Sequence, residues 1–223
     1  MPSLKVKTRC RSTEERAARA SGYSCVAGVD EVGRGCLFGP VFAAAVVLSP
    51  DRPVRGLADS KMVDPENRQE LAAKIRERAV AFAVGAADVF EIDDVNILQA
   101  SRLAMKRAVQ KLSVTPDFLL IDAITIDLNV PQKPIIKGDA KCQSIAAASI
   151  LAKVARDEAM RQWDAVFPQY GLARHKGYYT AEHVAAIEQH GPTWLHRYTF
   201  APIAQPTLLL ADASRRTDRE MTA

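Results

Sequence analysis

Residues 26–41 read VAGVDEVGRGCLFGPV: an apolar run that ends on two adjacent carboxylates, Asp30 and Glu31, followed at once by Gly33-Arg34-Gly35. Carboxylates are hard oxygen ligands suited to magnesium or manganese, and glycines let another molecule approach the backbone amides closely. Ser24 to Asp30 and Val41 to Leu48 are short apolar runs on either side of a Gly/Pro-bearing turn, so they are predicted to be two strands lying side by side. The glycine spacing superficially resembles a dinucleotide loop. That fingerprint must open a helix, whereas here Pro40 and a second β-like run follow, so the Rossmann reading is rejected. Neighbours on a regular strand point to opposite faces, so Asp30 and Glu31 are expected to share a site only if the chain bends there.

Outward from this stretch, the pattern is β-rich first and then helical. Leu71 and Ile75, four apart and surrounded by charge, predict a helix over Asn67 to Ala79, and Ala81 to Ala86 reads as a third strand. Glu91 to Leu112 is predicted to be one long amphipathic helix ending before Pro116. Phe118 to Asp122 (FLLID) reads as a buried strand ending on a carboxylate, the place where sites gather in an open α/β sheet. A loop carrying Pro131 and Pro134 leads to a helix over Cys142 to Phe167, whose Ala146, Ala147, Ala148, Ser149 and Ala152 form a small-residue face, and a last helix covers Ala181 to Gln189. The class is α/β. Residues 1–22 are expected to form a flexible basic arm, 23–203 the functional domain, and 204–223 a fraying tail.

The chain has 223 residues, 48% apolar and 25% charged, which is ordinary for one globular domain. Its net charge of +4 resides in residues 1–22, where six Lys or Arg face Glu14 and Glu15; the rest holds 24 basic and 24 acidic residues. Nucleic-acid binding by the body of the chain therefore needs a local patch. Four cysteines without CxxC or zinc-finger spacing indicate neither structural zinc nor a disulfide framework, and a cytoplasmic location is expected. The longest strictly apolar run, Val41 to Leu48, is far short of the ~20 residues of a membrane span, so no membrane association is expected, and nothing demands more than a monomer.

Four acids stand at element boundaries: Asp30, Glu31, Asp122 and Asp139. Together they could hold two divalent ions, an arrangement that suits phosphodiester hydrolysis. Taken alone, Asp139 is more simply a helix cap, whereas Asp122 directly after Phe118-Leu119-Leu120-Ile121 would be costly if buried and unpaired. In Asp59-Ser60-Lys61, Lys61 offers a point charge to a phosphate, although a solvated loop is the simpler reading of the three residues by themselves. His175-Lys176-Gly177-Tyr178-Tyr179-Thr180 combines a cation, a glycine and two aromatics, a mix suited to a backbone phosphate and a stacked base or sugar; Thr180 is also placed to cap the last helix.

These residues, taken in order, resemble type 2 ribonuclease H, and specifically the bacterial ribonuclease HII family. The resemblance runs from Val29-Asp30-Glu31-Val32-Gly33-Arg34-Gly35 through Asp59-Ser60-Lys61, Ile121-Asp122, Lys137-Gly138-Asp139, Ala146 to Val154, His175-Lys176-Gly177-Tyr178 and Gly191-Pro192 to His196-Arg197. It implies a ribonuclease H-like fold, a mixed central sheet flanked by helices with a helical C-terminal region. It further implies an endonuclease that hydrolyses the RNA strand of RNA/DNA hybrids and cuts 5′ of single ribonucleotides in duplex DNA. The cofactor would be Mn2+ or Mg2+, with Asp30, Glu31, Asp122 and Asp139 as the catalytic, metal-holding acids. Gly33, Arg34 and Gly35 would read the ribose 2′-hydroxyl, Tyr178 would sense the RNA-to-DNA junction, and Ser60 and Lys61 would hold a phosphate. Three positions depart from the family pattern: Phe38 is bulky beside the glycine turn, Ala123 replaces a frequent glycine, and Tyr179 replaces a small residue. A non-catalytic hybrid-binding module would lack one of the acids, and a different metal-dependent nuclease or phosphatase would leave Gly33-Arg34-Gly35 and Tyr178 without a purpose. Gln205-Pro206-Thr207-Leu208-Leu209 loosely resembles a sliding-clamp-binding peptide, with a disordered tail the simpler reading.

Overall fold

A computed structural model describes residues 10–57 and 63–204. Five strands, β1 (Val26–Val32), β2 (Val41–Val47), β3 (Ala81–Ala87), β4 (Phe118–Asp122) and β5 (Gln132–Ile135), form one sheet in the order β3-β2-β1-β4-β5. The two runs flanking the glycine turn pair as expected: β1 and β2 are antiparallel from Ala27 opposite Val47 to Val32 opposite Phe42. β2 pairs antiparallel with β3, whereas β4 lies parallel to β1 and β5 parallel to β4. The sheet is therefore mixed, with its central strand carrying Asp30 and Glu31.

Helices cover both faces: α1 (Thr13–Ala20), α2 (Pro65–Arg78), α3 (Val89–Gln110), α4 (Gly138–Lys141), α5 (Gln143–Val166), α6 (Leu172–His175) and α7 (Ala181–His190). Alternation along the strands sorts the core. Ala27, Val29, Leu119 and Ile121 pack with Ala100, Ala104 and Met105 of α3, while Ala44 and Val46 pack with α2 and the alanine face of α5. At Gly28 a Cβ would lie 2.1 Å from the Ser144 carbonyl carbon, so β1 and the first turn of α5 meet backbone to backbone. Ile145, Ile150, Leu151 and Met160 of α5 are buried, each contributing about 1.5–3 kcal/mol. A third cluster, including Leu37, Phe38, Met160, Tyr170, Leu172 and Ile187, joins the glycine turn to the C-terminal helices.

Three expectations are corrected. Residues 13–20 of the expected flexible arm form α1, anchored by buried Glu15, whose Oε1 accepts the Ser144 amide at 2.7 Å and the Cys142 thiol at 3.1 Å, and by Glu14 paired with Lys133 at 2.6 Å. A carboxylate at the start of α5 satisfies an amide that no side chain of α5 itself caps. The loop with Pro131 and Pro134 contains β5, an edge strand, where a proline is tolerated. The single long helix α3 breaks at Asn96 (φ 72°), whose Oδ1 accepts the amides of Leu98 and Gln99 and so caps the second half.

Candidate active site

Strand alternation puts Asp30 and Asp122 on the α5 face of the sheet and Glu31 on the α3 face, yet one carboxylate oxygen from each lies within 4.8 Å of the others. The expected backbone bend is not needed, because β1 keeps regular register with β2 through Val32. What changes is the neighbour on the other side: pairing of β1 with β4 stops at Val29 and Ile121, so past that point the gap between the strands is open. The three acids converge there. Asp30 Oδ1 accepts the amide of the next residue, Glu31, at 2.8 Å, and Asp122 Oδ1 accepts the Gly138 amide at 2.7 Å.

Burial is the main cause raising the Asp30 carboxyl well above its usual range, with Glu31 and Asp122 adding repulsion, against opposing hydrogen bonds from Ser149 and the Glu31 amide. Glu31 is raised by burial and by Asp122, while Arg34 opposes this from 3.3 Å. Glu31 Oε2 is buried without a hydrogen-bond partner. Three crowded carboxylates, one with an orphaned oxygen, form an oxygen-only donor set that suits a hard divalent cation.

Asp139 stands in the first turn of α4, next to the Gly138 amide that binds Asp122, and outside the three-carboxylate group. The capping reading is corrected: the N-cap of α4 is Lys137, in a left-handed conformation, and α5 begins after Cys142. Arg34 is tied to Glu31, which gives it a role in balancing the acids. Gly35 is exposed at the surface of the turn. Ser60 and Lys61 lie outside the described residues, as does the 205–209 segment.

Two buried arginines hold the turn: Arg156, which also reaches the Tyr178 loop, and Arg197, which the sequence presents only within the His196-Arg197 motif. Arg197 donates to the carbonyls of Gly33, Arg34 and Gly39 at 2.7–3.0 Å. Arg156 donates to Pro40, Phe38 and Lys176 at 2.7–3.1 Å. Burial, followed by repulsion from Arg156, pushes Arg197 down to about 9, so it remains a cation at neutral pH. The Leu37 amide adds a 2.8 Å bond to the Gly177 carbonyl, and Cys36 bridges Tyr178. Tyr178 keeps 36% of its surface exposed, with Lys153 Nζ 5.7 Å from its ring centroid. Lys176, in contrast, turns its ammonium onto the Ala173 carbonyl. Phe38 is fully buried edge-on to His196, 4.9 Å between centroids, so it is a core residue rather than a substrate-facing one. Tyr179 is 61% exposed. Among the described residues, no helix is long and apolar enough to cross a membrane.

Residues 27–203 match the family model for ribonuclease HII. A ribonuclease HII from Solibacter usitatus is 60% identical over 217 residues, covering 97% of this chain and 95% of that one. Among solved structures, ribonuclease H2 from Pyrococcus horikoshii superposes with a TM-score of 0.68 at 24% identity, covering 82% of this chain and 96% of that one. Bst-RNase HIII in complex with Mn2+ superposes at 0.64 and 24%, covering 89% and 73%. These two likenesses establish the ribonuclease H-like α/β fold, and the extent of the sequence match establishes that this chain belongs to the ribonuclease HII family: it is a ribonuclease H, a divalent-metal-dependent endonuclease acting on RNA/DNA.

Proposed function

We propose that this chain cuts the RNA strand of hybrids and also cleaves on the 5′ side of a single ribonucleotide embedded in duplex DNA, leaving a 3′-hydroxyl and a 5′-phosphate. The observation that carries this reading is the convergence of Asp30, Glu31 and Asp122 within 4.8 Å, at the foot of a glycine turn that Arg197 braces and that Arg156 ties to the Tyr178 loop. Asp30, Glu31 and Asp122 would hold Mg2+ or Mn2+, with Asp139 completing a second position. Such ions, when bound, stabilise the attacking and leaving oxygens of phosphodiester hydrolysis. The chain's own residues select the bond. The exposed backbone around Gly35 is open to a ribose, whose 2′-hydroxyl is the group that separates RNA from DNA. The half-exposed Tyr178 ring offers a stacking face beside it, where the sugar chemistry changes from RNA to DNA.

The test is to incubate the purified chain with all-DNA, all-RNA, hybrid and single-ribonucleotide duplexes in Mg2+ or Mn2+. Cutting of the hybrid and of the single-ribonucleotide duplex on its 5′ side is expected, and cutting of plain DNA would refute the reading. Asp30→Asn should abolish turnover on both substrates while hybrid binding persists.

A further inference from the structure

Behind the Tyr178 loop, His183 and His196 are buried and their ring nitrogens lie 3.2 Å apart. The protons on this pair are determined at both ends. The Thr193 amide, which can only donate, lies 2.9 Å from His196 Nδ1, so that nitrogen is bare and the ring is neutral with its proton on Nε2. The Tyr178 carbonyl, which can only accept, lies 3.0 Å from His183 Nδ1, so that nitrogen carries the proton and Nε2 is the acceptor. The two assignments meet without conflict. His196 Nε2–H donates to His183 Nε2, and His183 Nδ1–H donates to Tyr178, a one-directional chain from Thr193 to the Tyr178 backbone. Burial depresses both imidazoles, consistent with two neutral rings.

The rest of the loop is held in the same way. His175 stacks on His183 with 4.5 Å between centroids, its Nδ1 accepts the Gly177 amide at 3.2 Å, and its Nε2 donates to the Tyr170 carbonyl at 2.7 Å. Lys176 O is taken by Arg156 and Gly177 O by the Leu37 amide. His183 is thus the side-chain donor that completes the loop at Tyr178, approaching from the buried side while the ring faces outward. Because a tyrosine backbone fixed from behind leaves its ring few directions, we infer that the His196–His183 pair is a positioning element for Tyr178. It sets how strongly the enzyme prefers an isolated ribonucleotide in DNA to a continuous hybrid.

This inference rests on the proposed junction role of Tyr178, and the experiment separates the two. The readout is the ratio of kcat/KM on a single-ribonucleotide duplex to kcat/KM on a uniform hybrid, for the full chain and for Tyr178→Ala, His183→Leu, His183→Asn and His183→Gln, each checked by thermal melting. Asn places an amide N–H at the same bond count from Cα as Nδ1, and Gln at that of Nε2. His183→Leu should lower the ratio about 10-fold, the scale of leaving one buried carbonyl unpaired, Tyr178→Ala should lower it at least as far by removing the ring itself, and His183→Asn should restore most of the His183→Leu loss while His183→Gln does not. A normal ratio in Tyr178→Ala would overturn the junction role and this inference with it. A lowered ratio in Tyr178→Ala beside a normal one in folded His183→Leu would overturn this inference alone. If His183→Leu does not fold, the comparison of Asn with Gln decides, and a ratio in Gln equal to or above that in Asn overturns the positioning role.

Discussion

Gly35→Ala isolates the substrate-reading role of the glycine turn from its structural one. Gly35 has no atom within 4 Å of where a Cβ would sit, and its φ lies outside the left-handed region, so the fold has no objection to alanine. Restricting the unfolded chain should even favour the alanine variant by about 0.5 kcal/mol. A substrate pressed against this backbone would meet a methyl projecting ~1.5 Å, one C–C bond length, from Cα. Displacement of a reacting group by about 1 Å costs on the order of 100-fold in rate, which is the loss expected in kcat/KM on a single-ribonucleotide duplex. Gly33→Ala is the contrasting case, since Gly33 has φ +92° and its Cβ would sit 2.6 Å from Arg156 Nε. The backbone alone costs it about 1–2 kcal/mol, so melting temperature and activity should fall together. The assay is melting plus initial rates on matched duplexes with and without the ribonucleotide. Gly35→Ala cutting as fast as the parent would refute the claim that substrate approaches this backbone.

Arg197→Lys keeps the charge and loses the fork that serves three carbonyls; with each orphaned carbonyl costing about 1–3 kcal/mol, unfolding by urea should show a loss of about 3 kcal/mol or more, with cleavage falling too, and parent-like behaviour would mean that charge alone suffices. Ala123 sits at φ 56°, so Ala123→Gly relieves about 1–2 kcal/mol of backbone strain against about 0.4–1 kcal/mol of added unfolded-state entropy, and a small net rise in stability without loss of activity is expected from melting. His183 and His196 are pushed down to about 4 and about 3 from 6.5, mainly by burial. The unfolded chain therefore takes up protons that the folded one refuses, and stability is lost as pH falls from about 6.5 toward 4. The urea midpoint should drop between pH 7 and pH 5, and drop less in His183→Asn; equal drops would count against these two rings as its source.

Local pattern made much of the molecule legible. Apolar runs bounded by Gly and Pro located β1 and β2, FLLID located β4 to the residue, and the alanine face of α5 packs closely against β2 and α2. Asp30, Glu31 and Asp122 were recognisable because acids that end buried strands have few structural uses. Other elements were hidden because their causes are distant in sequence. α1 is only eight residues long and depends on Glu15 meeting Ser144, 129 positions away. β5 contains a proline and exists because β4 offers it an edge.

By itself, then, the sequence determined the α/β class, the strand ends that carry the acids and the family, because periodicity and ordered motifs are properties of neighbouring residues. Tertiary structure alone decided how two carboxylates on opposite faces of β1 come to share one site: the β1–β4 ladder stops at Val29 and Ile121, and the gap beyond it admits side chains from both faces. It alone also showed that Arg197 braces the glycine turn, that Arg156 ties that turn to the Tyr178 loop, and that the histidine pair holds the loop at Tyr178. Buried carbonyls must find donors wherever the fold brings them, and the two arginines lie more than a hundred residues from the turn they serve, beyond the reach of any local pattern.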